Sequence, residues 1–222
     1  MYLVKPKLEH EQALQTFLDK CEKQGDTVAD VFGSEALANI YTYSGFKSWV
    51  GSVKKNELAR SPAQEIEPGH TFLMMENISG SDGVDESVFP LAKNGQYLVG
   101  AVTLRTILED WSSPVVQGAA LDGSMAIMTL TVVPEYRNTA SYMLAIQDAL
   151  AHIVCAGLPY KYVRCVVAMD KKTGDYLSAL EKCNFTTLYA MTSEDKKFRI
   201  SQVDLRAAHQ LRSRIQEHKE EG

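Results

Sequence analysis

Arg137 stands three residues beyond Pro134, at the end of the apolar run Leu130-Thr-Val-Val-Pro134, and Asn138-Thr139-Ala140-Ser141-Tyr142 then open an apolar helical pattern. A strand that stops at a proline and turns through an arginine into a helix makes a place for phosphate. The first amides of a helix have no intrahelical partner and the aligned peptide dipoles add partial positive charge, so a diphosphate can dock there. The candidate anion holders are therefore the backbone N–H groups of Arg137, Asn138, Thr139, Ala140, Ser141 and Tyr142, with the Arg137 guanidinium available for a charge-assisted contact. The turn carries no glycine, and Asn138 is the residue best able to enter the left-handed region if the chain requires it.

Other chemistry has weaker sequence support. His10, His70, His152, His209 and His218 show no metal spacing with Cys21, Cys155, Cys165 and Cys183, so no metal site is expected. His70, at the start of a strand, is the one histidine to test as a base, whereas His152, midway along a helix, reads as structural. No Gly-x-Ser-x-Gly elbow or Walker lysine occurs. Asp122 precedes the strand before the phosphate turn, Thr129 and Thr131 lie on that strand, and Asp170 ends the strand after the turn; threonine hydroxyls can route a proton through water but are poor bases. A strand-end aspartate such as Asp170 more often belongs to a turn.

The elements that must hold these residues fit into one domain. A chain of 222 residues with 45% hydrophobic content buries a substantial core. The absence of an 18-residue apolar run and of a signal-peptide layout predicts a soluble, cytoplasmic protein that does not enter a membrane. The cysteines read as buried free thiols, which suits a reducing compartment. A net charge of −5 argues against a nucleic-acid partner, which needs a basic face.

Along the chain, Tyr2 to Val4 reads as a short strand, Leu8 to Cys21 as an amphipathic helix through Leu14, Phe17, Leu18 and Cys21, and Asp26 to Arg60 as a second helical region. That region has a start signal at Ser34 and an interruption near Ser44-Gly45. Its aromatics, Tyr41, Tyr43, Phe46 and Trp49, read first as core and alternatively as a substrate-facing wall. Strands follow at His70 to Glu76 and Gln96 to Arg105, with long loops at Asn77 to Gly95 and Glu109 to Gly123. Ser124 to Val133 is the strand before the phosphate turn, and Tyr142 to Ala156 is the helix after it, stopped by Gly157 and Pro159. Tyr160 to Met169 then pairs most simply in parallel with Ser124 to Val133. A helix capped by Thr173 carries Tyr176, Leu177 and Leu180 and ends at Asn184. A hairpin, Phe185 to Met191 and Lys197 to Ser201, closes the order, and Asp204 to Lys219 reads as a docking helix with Leu205, Ala208, Leu211 and Ile215 on a partial stripe.

The stretch Val132-x-Pro134-x-x-Arg137 and the segment Ser178-Ala-Leu-Glu181-Lys182-Cys-Asn184-Phe185 together resemble the GCN5-related N-acetyltransferases (GNATs). Their patterns are Val-x-Pro, then Arg/Gln-x-x-Gly-x-Gly/Ala, and later Leu-Tyr-Glu-Lys-x-Gly-Phe. The resemblance covers roughly residues 1–201, with 202–222 as a C-terminal helix or tail, and its specific residues fall between about 124 and 189. It implies an α/β (α+β) fold: a mixed, mostly antiparallel sheet flanked by helices, with splayed central parallel strands. It also implies acetyl-CoA as co-substrate, the backbone of Leu130 and Val132 pairing with the pantetheine arm, the turn from Arg137 to Tyr142 holding the diphosphate, and a small-molecule or protein amine as acceptor. Whether the protein forms a homo-oligomer stays open.

The departures concern chemistry. Ala140 and Tyr142 replace the two glycines of the phosphate turn, Leu180 stands where many members have an acid tyrosine, and the strand before the turn lacks their glutamate. Tyr176, one helical turn before Leu180, is the remaining candidate acid, although it also fits the apolar stripe of its helix. Two functions are consistent with this: an acetyl-CoA-dependent N-acetyltransferase, favoured by the retained Val-x-Pro-x-x-Arg, and a catalytically degenerate structural or interaction module, favoured by Tyr142 and the missing acid and base. The balance falls to the transferase.

Overall fold

The computed structural model describes residues 1–59, 68–77, 90–92, 95–108, 118, 122–170, 172–193, 196–210 and 212, without the side chains of 39–44. Most of the two long loops, the hairpin tip at 194–195, the helix expected beyond 212 and the Tyr41 and Tyr43 side chains lie outside the described residues.

Among the described residues seven strands form one sheet in the order β1-β2-β3-β4-β5-β7-β6. They are β1 (Tyr2–Val4), β2 (Gly69–Glu76), β3 (Tyr97–Leu108), β4 (Asp122–Val132), β5 (Tyr162–Ala168), β6 (Thr186–Ser193) and β7 (Lys196–Asp204). Every neighbouring pair is antiparallel except β4–β5, which is parallel. This is the mixed, mostly antiparallel sheet with a central parallel pair read from the sequence.

Three helices precede β2: α1 (Glu11–Lys23), α2 (Val28–Phe32) and α3 (Glu35–Leu58). Ala13, Leu14, Phe17, Leu18 and Cys21 form the buried face of α1. The short α2 was not separated out in the sequence; Thr27 and Asp30 cap it reciprocally and Gly33 ends it in the left-handed region at φ 61°. Gly33 also lies flat on β4, where an added Cβ would meet the Thr129 hydroxyl. Ser34 caps α3 as expected, and Gly45 at φ 73° interrupts it where the sequence breaks. Phe46 and Trp49 are core, with Trp49 packed 5.2 Å from Phe32.

Two further helices, α4 (Thr139–Cys155) and α5 (Gly174–Lys182), follow β4 and β5. α4 begins three residues before the expected start because the Asn138 side chain accepts a hydrogen bond from Ser141 N–H at 3.0 Å and caps it. Asn138 does so with extended backbone, φ −145°, so the turn needs no left-handed residue. At the end of α5 Asn184 does adopt φ 63°. Thr173 occupies the position before α5, but its side chain does not cap the helix; its hydroxyl donates to Ala168 O. Cys21, Cys165 and Cys183 are buried and all four cysteines are free, whereas Cys155 is exposed, since it lies on the outer side of the last turn of α4. No helix among the described residues is long and apolar enough to cross a membrane.

Candidate functional site

The central feature is where β4 and β5 stop pairing. They are joined only at Met125–Tyr162, Ala126–Val163 and Ile127–Arg164. Past that row β4 runs on to Val132 against β3, and β5 runs on to Ala168 against β7, so the two strands part. Val133 N–H donates to Val99 O of β3 at 2.9 Å, while Ser124 O accepts from Lys161 N–H, beside the start of β5, at 2.7 Å. Antiparallel ladders use both backbone groups of alternate residues. The odd-numbered residues of β4 therefore face β3; of the even ones, Met128 still turns its N–H to Arg164 in the last paired row, and the Met128 C=O, the Leu130 N–H and C=O and the Val132 N–H look into the gap, where Arg137 Nε takes the Val132 C=O.

The phosphate turn stands at the open end of this gap. Tyr142 N–H bonds Asn138 O, Ser141 N–H bonds the Asn138 side chain, and the amides of Arg137 and Asn138 bond back into the turn. The amides of Thr139 and Ala140 have no hydrogen-bond partner among the described residues. They are the first two of a 17-residue helix, so the positive end of its dipole is concentrated on them.

The side chains of the turn point elsewhere. Arg137 folds inward: its Nε donates to Val132 O at 3.2 Å, and its terminal nitrogen lies 2.5 Å from Asp26 and 3.6 Å from Cys21 Sγ. Burial works against its charge, but the Asp26 carboxylate outweighs that and holds the guanidinium protonated above its ordinary range. With these nitrogens held by Val132, Cys21 and Asp26, the open groups the turn offers an anion begin with the Thr139 and Ala140 amides. Cys21 beside it has its thiol pushed up to about 12 by burial, against the pull of Arg137.

Tyr142 is 7% exposed, and its ring stacks on Tyr176 of α5 at 4.9 Å between centroids. Burial raises its hydroxyl to about 12. The Tyr176 hydroxyl donates to Cys165 Sγ at 3.7 Å. Cys165 is the first β5 residue beyond the paired row and is fully buried. Burial also pushes the Tyr176 hydroxyl well above its ordinary value. A proton donor is most effective with a pKa near the working pH, so Tyr176 is built as a packing group of the gap and makes a weak acid.

His70 is not brought to the gap. Its row runs His70–Leu104–Met128, two strands from β4. Its ring lies 6.1 Å from Phe72 and 5.7 Å from Tyr160, and Phe72 in turn packs 4.7 Å from His152 of α4. His152 is the half-buried structural histidine expected. Asp122 begins β4 at the paired end and accepts from Ser124 N–H at 2.9 Å, and Asp170 accepts from Lys172 and Thr173 amides, as a turn residue does.

On the opposite face from α4, Thr71, Thr103 and Thr129 form one row across β2, β3 and β4. Thr71 and Thr103 are within 3.4 Å, and Thr131 reaches Val31 O of α2 at 3.5 Å. A cleft of about 320 Å³ opens beside this row between the α2–α3 junction and Arg105. Arg105, Ile127 and Arg164 share the last paired row before the gap. The threonine row and the Asp26–Arg137 pair were not read from the sequence, because both depend on register or on contacts more than a hundred residues apart. Among the described residues no group of three His, Cys, Asp or Glu side chains could hold a metal ion.

No protein-family model matches the chain, and no curated protein matches it in sequence. Solved structures do match. An acetyltransferase of Salmonella typhimurium that modifies the N-terminal serine of ribosomal protein L7/L12 superposes with a TM-score of 0.54 at 10% identity, covering 91% of this chain and 93% of that one. A chimeric Vibrio cholerae spermidine N-acetyltransferase gives 0.53 at 13% identity over 91% and 93% of the two chains. A Bordetella pertussis protein assigned to the GnaT acetyltransferase family gives 0.51 at 10% identity over 90% and 93%. The chain thus has the GNAT fold over most of its length, as the resemblance in its sequence implied. At this identity the likeness defines the architecture, and function has to be argued from the site.

Proposed function

We propose that the protein is a divergent GNAT that transfers an acetyl group from acetyl-CoA to an amine. The observation that carries this reading is the parting of β4 and β5, with the Met128 C=O, the Leu130 N–H and C=O and the Val132 N–H facing the gap and the Thr139 and Ala140 amides at its open end. An extended pantetheine amide chain can add to such an edge as a strand does, and a diphosphate suits the helix start. The acceptor, a small-molecule or protein amine, would approach from the face of the threonine row, and the geometry favours no particular acceptor. With Tyr176 a weak acid and His70 away from the gap, rate would come from positioning amine against thioester, while water carries the protons past Thr129. Three buried free thiols support a reducing compartment, the cytoplasm.

Tyr142 supports a second reading. It fills the place of a glycine with a buried ring, as expected of a module that has lost the donor. Titration calorimetry with acetyl-CoA separates the two: the transferase binds it, and no heat and no thermal shift at millimolar cofactor would select the module.

A further inference from the structure

The gap between β4 and β5 is closed at the face it shares with α4 and α5, and two contacts, each anchored on a strand, close it. The Tyr142 and Tyr176 rings are stacked at 4.9 Å, one from the first turn of α4 and the other from the first turn of α5. The Thr139 hydroxyl donates to the Asp175 carboxylate at 2.5 Å, joining the starts of the same two helices. The Tyr176 hydroxyl is anchored on Cys165 of β5, while the turn before α4 is anchored on β4 through Arg137 and Val132 O. The rings and the clasp therefore span from one splayed strand to the other. Asp175 also sets a carboxylate beside Thr139, whose amide is one of the two open to an anion, and like charges at that distance repel.

We infer that this is a gate: the α4 and α5 starts must part, with the tyrosine stack opened and the Thr139–Asp175 clasp released, before an acyl donor can enter the slot. The inference rests on the donor slot of the proposed function. The two ends are built for such a motion. The stack is made by side chains on first helical turns, and the Tyr142 hydroxyl has no hydrogen bond among the described residues to hold it shut. A binding-competent state that is only fractionally populated lowers apparent affinity by that fraction. Wild-type protein should accordingly bind acetyl-CoA more weakly than its open backbone groups would allow.

Cys165 reports on the gate without any cofactor, because it is fully buried beneath the Tyr176 hydroxyl. The test alkylates full-length wild-type, Tyr142→Ala and Asp175→Asn proteins with iodoacetamide and follows Cys165 by peptide mass spectrometry. Exposed Cys155 serves as reagent control and buried Cys21 of α1, on neither moving helix, as control for wider unfolding. Acetyl-CoA binding to the same proteins is measured by calorimetry. The gate predicts Cys165 labelling about tenfold faster or more in Tyr142→Ala and several-fold faster in Asp175→Asn, Cys21 unchanged, and acetyl-CoA affinity rising in proportion to the open fraction. Unchanged Cys165 labelling in both variants would overturn the gate, whatever the calorimetry shows. Faster labelling confined to Cys165 with no acetyl-CoA binding by any form would keep the gate and overturn the transferase. Labelling that accelerates equally at Cys21 would overturn it too, since the variants would then only be loosening the core.

Discussion

β4 has two halves that look alike in sequence and differ in what their backbone does. From Ser124 to Ile127 it lies between β3 and β5, bonded toward both; past Met128, whose N–H still meets Arg164, no β5 residue pairs with it. Ala126, Leu130 and Val132 are all buried, at 0%, 5% and 1% exposed, while Thr129 and Thr131 of the open half, turned to the cleft face, are half-buried. Burial of the gap-facing residues therefore does not mark the candidate site. The mark appears when backbone partners are followed along the strand, because buried N–H and C=O groups are almost always paired and a stretch that turns them toward a gap invites a ligand strand.

The comparison makes predictions of decreasing size. In the paired half, Ala126→Asp places a carboxylate among buried groups with no counter-charge and should cost more than about 4 kcal/mol, seen as loss of the cooperative unfolding transition in urea. At the open end, Asp26→Ala strips the Arg137 guanidinium of its partner. Breaking a fully buried pair costs about 3–5 kcal/mol, and partial exposure here lowers the expectation to about 2–3 kcal/mol by urea melts. A loss as small as that of an exposed pair would show that Arg137 is not committed to Asp26 and is free for phosphate. Asn138→Ala removes the α4 cap and should cost about 1 kcal/mol, with Asn138→Asp near wild type. The smallest effects fall on chemistry. Tyr176→Phe should lower kcat by less than about a hundredfold and His70→Ala by less again, below what a positioned acid or base supplies. A thousandfold loss in Tyr176→Phe with acetyl-CoA affinity intact would make Tyr176 the catalytic acid.

Much of this was legible in the sequence because it depends on local pattern. The strand-turn-helix around Pro134 and Arg137, the Gly157 stop, the left-handed Asn184 and the parallel pairing of β4 with β5 all follow from short-range punctuation and order. Tyr142 was visible as a departure from the glycine pattern, but whether its ring turned outward or into the gap was not, since that depends on Tyr176, 34 positions later, meeting it. Arg137 read as available for a charge-assisted phosphate contact, and its pairing with Asp26 was not legible because the two are 111 residues apart. His70 stood as the histidine to test as a base because strand order alone does not give register; pairing with Leu104 and packing on Tyr160 take it to the α4 face. Thr173 stood where a cap belongs, yet its hydroxyl found Ala168 O closer at hand.

Residue-resolved amide hydrogen exchange with and without acetyl-CoA tests the central claim most directly. If the open half of β4 and the α4 start form the donor site, a tenfold excess of acetyl-CoA over its dissociation constant should slow exchange at Leu130, Val132, Thr139 and Ala140 about tenfold, and should change the amides of the paired stretch Met125 to Ile127 less. No protection anywhere at millimolar acetyl-CoA, or protection confined to another face, would contradict it.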